Sequence, residues 1–412
     1  MNIAENILSR SAGGVAVTPG QIVTCEVDLI CIDEIQIPLF AKTLEDMGAS
    51  TILRDKTVFV VDHYCPPASL HQATVVRQVR DFAAFHNCRL LEGGIKHQLL
   101  LEGGYVRPGM MIAATDSHIN TCGAVGAFAA AFGPAEAAMM AATGFSWFRV
   151  PATIKFEITG KLDGFITPRD IGIVILGEKG LNFANYMAME FCDRTENGLS
   201  IEARMALCNM SAEMGAKTAT FQVDDITRTF LRDRGVKEFH ELPADTTGGY
   251  AATFSVDISD LQPMVAIPDS PANVKPAAEV SGKKIDQAFI GSCLGGNMED
   301  LRIAARILDG QKVHPHTRAI ITPASRQIYR DALSEGLLEV FSRANAHISG
   351  GTCSVCVGLE APLLAGESCI STSTRNYKGR MGSLDSQIYL GSSATVAASA
   401  VRGRITDPRE FL

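Results

Sequence analysis

The chain has 412 residues, 46% hydrophobic and 20% charged, with a net charge of −8. That length and balance supply core for two or three α/β domains and exclude global disorder. The acidic surplus excludes a general nucleic-acid binder, because no excess of cations is available to neutralise phosphates.

The N-terminus, Met1-Asn2-Ile3-Ala4-Glu5-Asn6, has no basic segment followed by an apolar core, so no signal peptide is expected. The most apolar stretch, 123–144, is mostly Ala and Gly and carries Pro134 and Glu136. It reads as a closely packed buried segment and not a membrane span. Eleven cysteines without a secretory signal point to a reducing, cytoplasmic compartment. Cys25, Cys31, Cys88, Cys192 and Cys208 stand in apolar surroundings and read as inert core thiols.

Strand-like runs alternate with amphipathic helical stretches, the α/β pattern. A strand is expected over 57–61, ending in Asp62-His63, then a helix over 69–85. A strand over 110–114 ends in Thr115-Asp116-Ser117-His118. A strand over 153–162 precedes Thr167-Pro168-Arg169-Asp170, which opens a helix with Thr as cap, Pro at the first position and Asp in the first turn. A helix over 200–215 is closed by glycine, and a strand over 219–223 follows. The Pro- and Ala-rich stretch 263–284 reads as an inter-domain connector. Beyond it come a strand over 285–290, the turn Gly291-Ser292-Cys293 and a helix over 298–308. A strand over 318–322, a helix over 325–344, a strand over 387–390 and a helix after Ser392-Ser393 complete the pattern. The expected domains are 1–150, 151–280 and 281–412. Asp62-His63, Asp116-Ser117-His118 and Cys293 all follow the carboxyl ends of buried strands, where open α/β sheets bind ligands.

Cys293 and the pair Cys353-Ser354-Val355-Cys356 sit among glycines, where backbone can approach a bulky inorganic centre. A CxxC with one distant cysteine offers three thiolates and leaves a coordination position open. Spacing alone admits an open iron–sulfur centre, a zinc site or a redox pair. Cys369 is the one nearby fourth thiol, in a separate Ser/Thr-rich stretch. His63, His97 and His118 stand beside aspartate, serine or lysine at strand or loop ends, which favours acid–base or orienting work. His314, His316 and His347 lack that context and read as structural or surface residues. His71, His86 and His240 read as helix-surface residues. Asn209 and Glu213, four apart on a largely apolar helix, share a face, and a buried carboxylate there needs a partner. Thr374-Arg375-Asn376-Tyr377-Lys378-Gly379-Arg380 concentrates cations beside the CxxC, suited to holding a carboxylate.

Together, Val61-Asp62-His63-Tyr64, Ile95-Lys96-His97-Gln98, Thr115-Asp116-Ser117-His118, Cys208-Asn209-Met210-Ser211-Ala212-Glu213, Ile290-Gly291-Ser292-Cys293, the CxxC and Arg375 to Gly382 resemble the aconitase superfamily. The resemblance is strongest to the large subunits of isopropylmalate isomerases. It implies three aconitase-like α/β domains packed around a [4Fe–4S] cluster held by Cys293, Cys353 and Cys356. It implies a hydro-lyase acting on a malate-type hydroxy-diacid, with Asp62, His63, His97, Asp116, His118 and Glu213 as the acid–base set. Arg375, Arg380, Ser117 and Asn209 correspond to substrate-binding positions. The family's carbon–hydrogen base, a serine on a C-terminal swivel domain, has no counterpart here, which implies a separate small subunit. No nucleic-acid or membrane partner is expected.

Six residues at four places depart from the family's usual ones: Leu294-Gly295 for Thr-Asn, Thr374 for Asn, Ile119 for Thr and Ser354-Val355 for Gly-Pro. They leave the ligand cysteines intact and admit another acid, such as dimethylmalate or homoaconitate, as substrate. A non-catalytic iron–sulfur or RNA-binding relative is the alternative of another class.

Overall fold

The computed structural model describes residues 1–162, 164–241 and 249–411. The chain divides into two compact units. Unit 1 comprises Met1–Glu92, Leu99–Thr159 and Asn182–Asp257, and unit 2 comprises Gly93–Gln98, Gly160–Leu181 and Ile258–Leu412. The three larger sheets fall within 29–131, 153–257 and 264–391.

In unit 1 a parallel five-stranded sheet runs in the spatial order Arg89–Glu92, Thr57–Val61, Leu29–Asp33, Met111–Ala114, Phe128–Ala131. Its central strands are buried at every position, and apolar at all but Asp33 and Thr57, because both faces are covered. Side chains alternate between two separate clusters, as the two-residue strand period demands. Ile30, Ile32, Phe59, Val61 and Ala113 enter one, and Leu29, Cys31, Val58, Val60 and Ile112 enter the other. A second, four-stranded sheet has the order Thr218–Phe221, Ala188–Thr195, Thr153–Gly160, Ala252–Asp257. Phe156, Phe191, Phe221 and Phe254 stack along it. Ile22–Glu26 and Phe145–Arg149 form an antiparallel ribbon.

Unit 2 is built on a seven-stranded sheet. Four adjacent parallel strands, Ser368–Ser371, Gln287–Ile290, Arg318–Ile321 and His347–Ile348, form one side of it. Gln387–Gly391 continues the parallel run, and Met264–Ala266 and Val274–Pro276 add antiparallel strands beyond it. The stretch 263–284, expected as a connector, therefore contributes two strands to the sheet and the short helix Ala277–Val280. Val265 and Ala266 are fully buried and pair with Gly391 and Leu390, which overrides the turn-rich composition.

Most expected elements appear within one to three residues. The cap at Thr167 opens the helix Pro168–Lys179, with Asp170 accepting from the Thr167 backbone at 2.9 Å. The helix expected over 325–344 is two, Arg326–Ser334 and Leu337–Arg343. Gly336 at φ +76° separates them, a conformation that closes one helix and re-aims the next. The stretch 123–144 contains the strand Phe128–Ala131 and the helix Pro134–Thr143 and is largely buried. Among the described residues, no helix is long and apolar enough to cross a membrane. The strand Leu29–Asp33, at the centre of its sheet, was not among the expected elements.

Candidate active site

In unit 1 the candidate groups leave the carboxyl ends of adjacent parallel strands. After Leu29–Asp33 comes Glu34, fully buried, whose carboxylate accepts from three successive backbone amides. These are Asp62 at 3.3 Å, His63 at 2.7 Å and Tyr64 at 2.6 Å, the turn that follows Thr57–Val61. With that turn fixed, His63 Nδ1 sits 2.8 Å from Asp62 Oδ1. Asp33 secures the next strand end, accepting from Thr115 Oγ1 at 2.8 Å.

Asp116 caps the 3-10 run Ser117–Val125, accepting from the His118 backbone at 2.7 Å. His118 Nε2 lies 2.7 Å from Glu213 Oε1, and both residues are buried. This is the partner that a carboxylate on an apolar helix requires. Glu213 comes from the turn Ala212–Met214 after the helix Ile201–Ser211. That helix is locked to the 3-10 run by polar bonds. Asn209 Nδ2 donates to Thr121 Oγ1 at 2.8 Å, Thr121 Oγ1 donates to the His118 carbonyl at 2.6 Å, and Asn120 Nδ2 donates to Ser211 Oγ at 3.1 Å. Asp116–His118–Glu213 is thus a hydrogen-bonded set, and Asp62–His63 a close acid–imidazole contact in the same unit. Ser117 is half-buried and lines a cleft with Thr115, Phe132 and Lys217.

In unit 2 the three cysteines and both arginines leave the carboxyl ends of neighbouring parallel strands. Cys293 follows Gln287–Ile290, Cys353 and Cys356 follow His347–Ile348, and Arg375 and Arg380 follow Ser368–Ser371. Ser292, immediately before Cys293, holds φ +65°, an uncommon conformation for a residue with a side chain. His97 belongs to this unit through Gly93–Gln98, which is tied to the strand end after Arg318–Ile321: Ile95 N donates to Ala324 O at 2.8 Å. Ala324 N in turn donates to Gly296 O at 2.8 Å, so one residue braces both the His97 segment and the Cys293 loop. Ligand-capable atoms of His97 and Cys293 lie within 4.8 Å. Arg380 Nη2 approaches Cys356 Sγ at 3.7 Å.

Arg169, in the first turn of Pro168–Lys179, is fully buried. Its guanidinium donates to the carbonyls of Thr372 and Ser373, just ahead of Arg375. Burial lowers its pKa to about 10, while Asp300, Asp170, Cys293 and Cys356 favour its charge. A fixed cation therefore sits in the electrostatic reach of two candidate ligand thiols. Asn376 Nδ2 ties the arginine loop to Ile267 O at 2.9 Å, and Lys378 turns to Asp269 at 3.8 Å.

The donor set fits a group that takes three thiolates. All eleven cysteines are without disulfides. Cys369 does not join the trio: it pairs in register with Gln287, the first residue of a strand whose last is Ile290. That places it ~10 Å back from the sheet edge at ordinary strand rise. Its thiol is pushed up to about 12 by burial, as a core thiol is. Burial also lifts Cys25 and Cys88 to about 11, and Cys208 is fully buried, in line with inert thiols. Two of the glycines beside the cysteines also permit close packing of loops. A Cβ on Gly295 would stand 2.2 Å from Thr372 Oγ1, and one on Gly358 2.8 Å from the Met381 backbone. They permit loop-on-loop packing that holds the cysteines in place.

Sequence reasoning missed Glu34 and Arg169. The signal for the first was an Asp-Glu pair ending an apolar run, the same pattern as Asp62-His63. Arg169 was visible only as part of a capping motif.

The profile of the Aconitase family (aconitate hydratase) matches residues 5–281 and 272–403. A 3-isopropylmalate dehydratase large subunit of Methanopyrus kandleri is 42% identical over 100% of this chain and 99% of its own. One of Hydrogenobaculum sp. is 41% identical over 99% and 97%. A probable methanogen homoaconitase large subunit of Methanothermobacter thermautotrophicus is 40% identical over 100% and 98%. Among solved structures, Thermococcus kodakaraensis aconitase X in its holo-form shares the fold, with a TM-score of 0.55 at 13% identity, covering 86% of this chain and 84% of that one. Matched along nearly its whole length by profile and relatives alike, the chain belongs to the aconitase family.

Proposed function

We propose that the chain is the large, catalytic subunit of a hydro-lyase that dehydrates and rehydrates a malate-type hydroxy-diacid, with 3-isopropylmalate as the foremost candidate. The supporting observation is the set of parallel strand ends on one side of the unit 2 sheet that carry Cys293, Cys353, Cys356, Arg375 and Arg380, together with relatives named for that activity. The three cysteines would hold a [4Fe–4S] cluster. When bound, the cluster supplies a Lewis-acidic iron that makes a hydroxyl group a better leaving group.

The chain's own residues supply the rest. Glu213 orients His118 and fixes its tautomer, so that His118 handles the proton of the departing hydroxyl. Asp62 stands beside His63 Nδ1 and favours its charged form, and Glu34 fixes the turn that holds both. His97 and Asp116 complete the acid–base set, and Ser117 and Asn209 serve substrate contact. Arg375 and Arg380 hold carboxylates by forked hydrogen bonds, stabilising charge that develops as the adjacent carbon–hydrogen bond breaks. The base for that bond would come from a small partner subunit; the relatives' designation as large subunits supports this. Three domains, 1–150, 151–280 and 281–412, would carry the three larger sheets, with Met264–Ala266 and Val274–Pro276 joining the third sheet from ahead of the second boundary, and thiols without disulfides suit a reducing cytoplasm.

Anaerobic reconstitution tests the cluster: a brown protein with broad visible absorbance is expected, lost in Cys353→Ser, and a colourless zinc protein would overturn it. A panel of malate derivatives, assayed with a small subunit present, tests the substrate. Turnover of homoaconitate in preference to isopropylmalate would assign the departures at Leu294, Gly295, Ile119 and Thr374 to specificity. Full activity of the isolated chain would remove the need for a partner.

A further inference from the structure

Unit 1 contains a cleft of about 360 Å³ that the hydro-lyase reading does not use beyond its rim at Ser117. That volume lies in the range of small-molecule sites. Its wall is formed by Phe132 and Thr115, which follow the carboxyl ends of Phe128–Ala131 and Met111–Ala114, and by Tyr186, Trp147 and Lys217. Lys217 is half-buried, and its ammonium lies over the Phe132 ring at 4.2 Å and within 5.9 Å of the Tyr186 ring. Its ammonium makes one hydrogen bond, to Ala131 O at 3.1 Å; among the described residues no carboxylate is in ion-pair contact with it, although Glu136 lies near enough to favour its charge. Two of its three donors are thus available to a ligand. Burial lowers its pKa. The Arg149 guanidinium lies over the Tyr186 ring, 4.3 Å from its centre. Tyr186 itself holds φ +57°, a strained conformation for a bulky residue and one that tends to persist where function needs it. Glu136 is the one acidic residue among the lining side chains.

We propose that this cleft is a binding site for a small organic acid, with the Lys217 ammonium taking a carboxylate and Phe132, Tyr186 and Trp147 covering an apolar branch. A partly desolvated ammonium ringed by aromatic faces is short of anionic charge, and a carboxylate bearing an alkyl group satisfies both features at once. No cysteine or cluster enters the argument, so it stands or falls apart from the hydro-lyase reading.

Trp147 is the only tryptophan of the chain, so intrinsic fluorescence reports on the cleft directly. The full-length chain would be titrated with isopropylmalate and, separately, with 4-methylpentanoate, with calorimetry as a second measure. A saturable signal with either acid is expected. Binding of the diacid alone would make the cleft an extension of the substrate site, whereas binding of the monocarboxylate too would make it a separate acid site. Lys217→Gln should weaken binding ~10-fold or more, as loss of a charge-assisted hydrogen bond does, while Lys217→Arg retains most of it. Glu136→Gln should tighten binding roughly threefold by removing a like charge, and this holds even if the Lys217 variants fold poorly. No saturable change with either acid up to ~10 mM, the weak end of ordinary ligand affinity, or affinity indifferent to both Lys217→Gln and Glu136→Gln, would overturn the proposal.

Discussion

Replacing Glu34 tests whether the Asp62–His63 pair is held from outside itself. The Glu34 carboxylate accepts from the amides of Asp62, His63 and Tyr64, two of them at 2.7 Å and 2.6 Å. A hydrogen bond to a charged group contributes ~1.5–3 kcal/mol, and the longer third bond contributes less, ~0.5 kcal/mol. Glu34→Ala strands all three buried donors and should cost the turn ~4 kcal/mol. In Glu34→Gln the amide oxygen still accepts the two short bonds without charge, and the cost falls to ~2 kcal/mol. At 1.4 kcal/mol per factor of ten, local opening should rise ~30-fold in the Gln variant and ~10³-fold in the Ala variant. Hydrogen exchange of a peptide spanning 58–68 measures this directly, and turnover should fall in the same order. Exchange in Glu34→Ala within threefold of the parent would refute the reasoning.

Arg169→Met removes a buried guanidinium from two carbonyls and should destabilise the arginine loop by about 3 kcal/mol. Bound iron per chain after anaerobic loading should drop with it; unchanged iron and an unchanged denaturation midpoint would argue against this role. Glu213→Gln should lower kcat by ~10²-fold or more, with KM moved far less, because it acts through His118 and not on substrate affinity. Burial lifts the Asp300 carboxyl from 3.8 to about 7, so the folded chain binds this proton more tightly than the unfolded chain. Between those values stability falls as pH rises, and the whole penalty is present above 7. Asp300→Asn should therefore match the parent near pH 4 and exceed it at pH 8; an equal offset at both would contradict the assignment. Gly295→Ala should cost ~1–3 kcal/mol by driving a Cβ into Thr372, as read from urea denaturation.

Much of the site could be read from strand ends. Asp62, Asp116 and Cys293 follow runs whose apolar character marks buried strands, and the folded chain puts those ends at sheet edges. The pairing of His118 with Glu213 was hidden because it joins residues far apart in sequence, and no periodicity reports a contact between a 3-10 run and a distant helix. The strand Leu29–Asp33 escaped notice because Cys31 and a flanking Asp and Glu mask a short run. The stretch 263–284 misled in the opposite sense: prolines and small residues mark turns, yet Val265 and Ala266 alone are enough to extend a sheet whose neighbouring strand offers an open edge. Gly336 was legible as a helix breaker only in hindsight, since an isolated glycine is tolerated in many helices.

The bond from Ile95 N to Ala324 O has a consequence for biogenesis. A growing polypeptide emerges from its N-terminal end, so the segment carrying His97 is synthesised long before its acceptor exists. Until residue 324 has been made, the bond that ties this segment to the strand end cannot form, and closing so long a loop slows the step further. A ribosome stalled well beyond residue 131 but before residue 324 therefore leaves a nascent chain in which the five-stranded sheet of unit 1 can already be complete while the Ile95 amide lacks its acceptor.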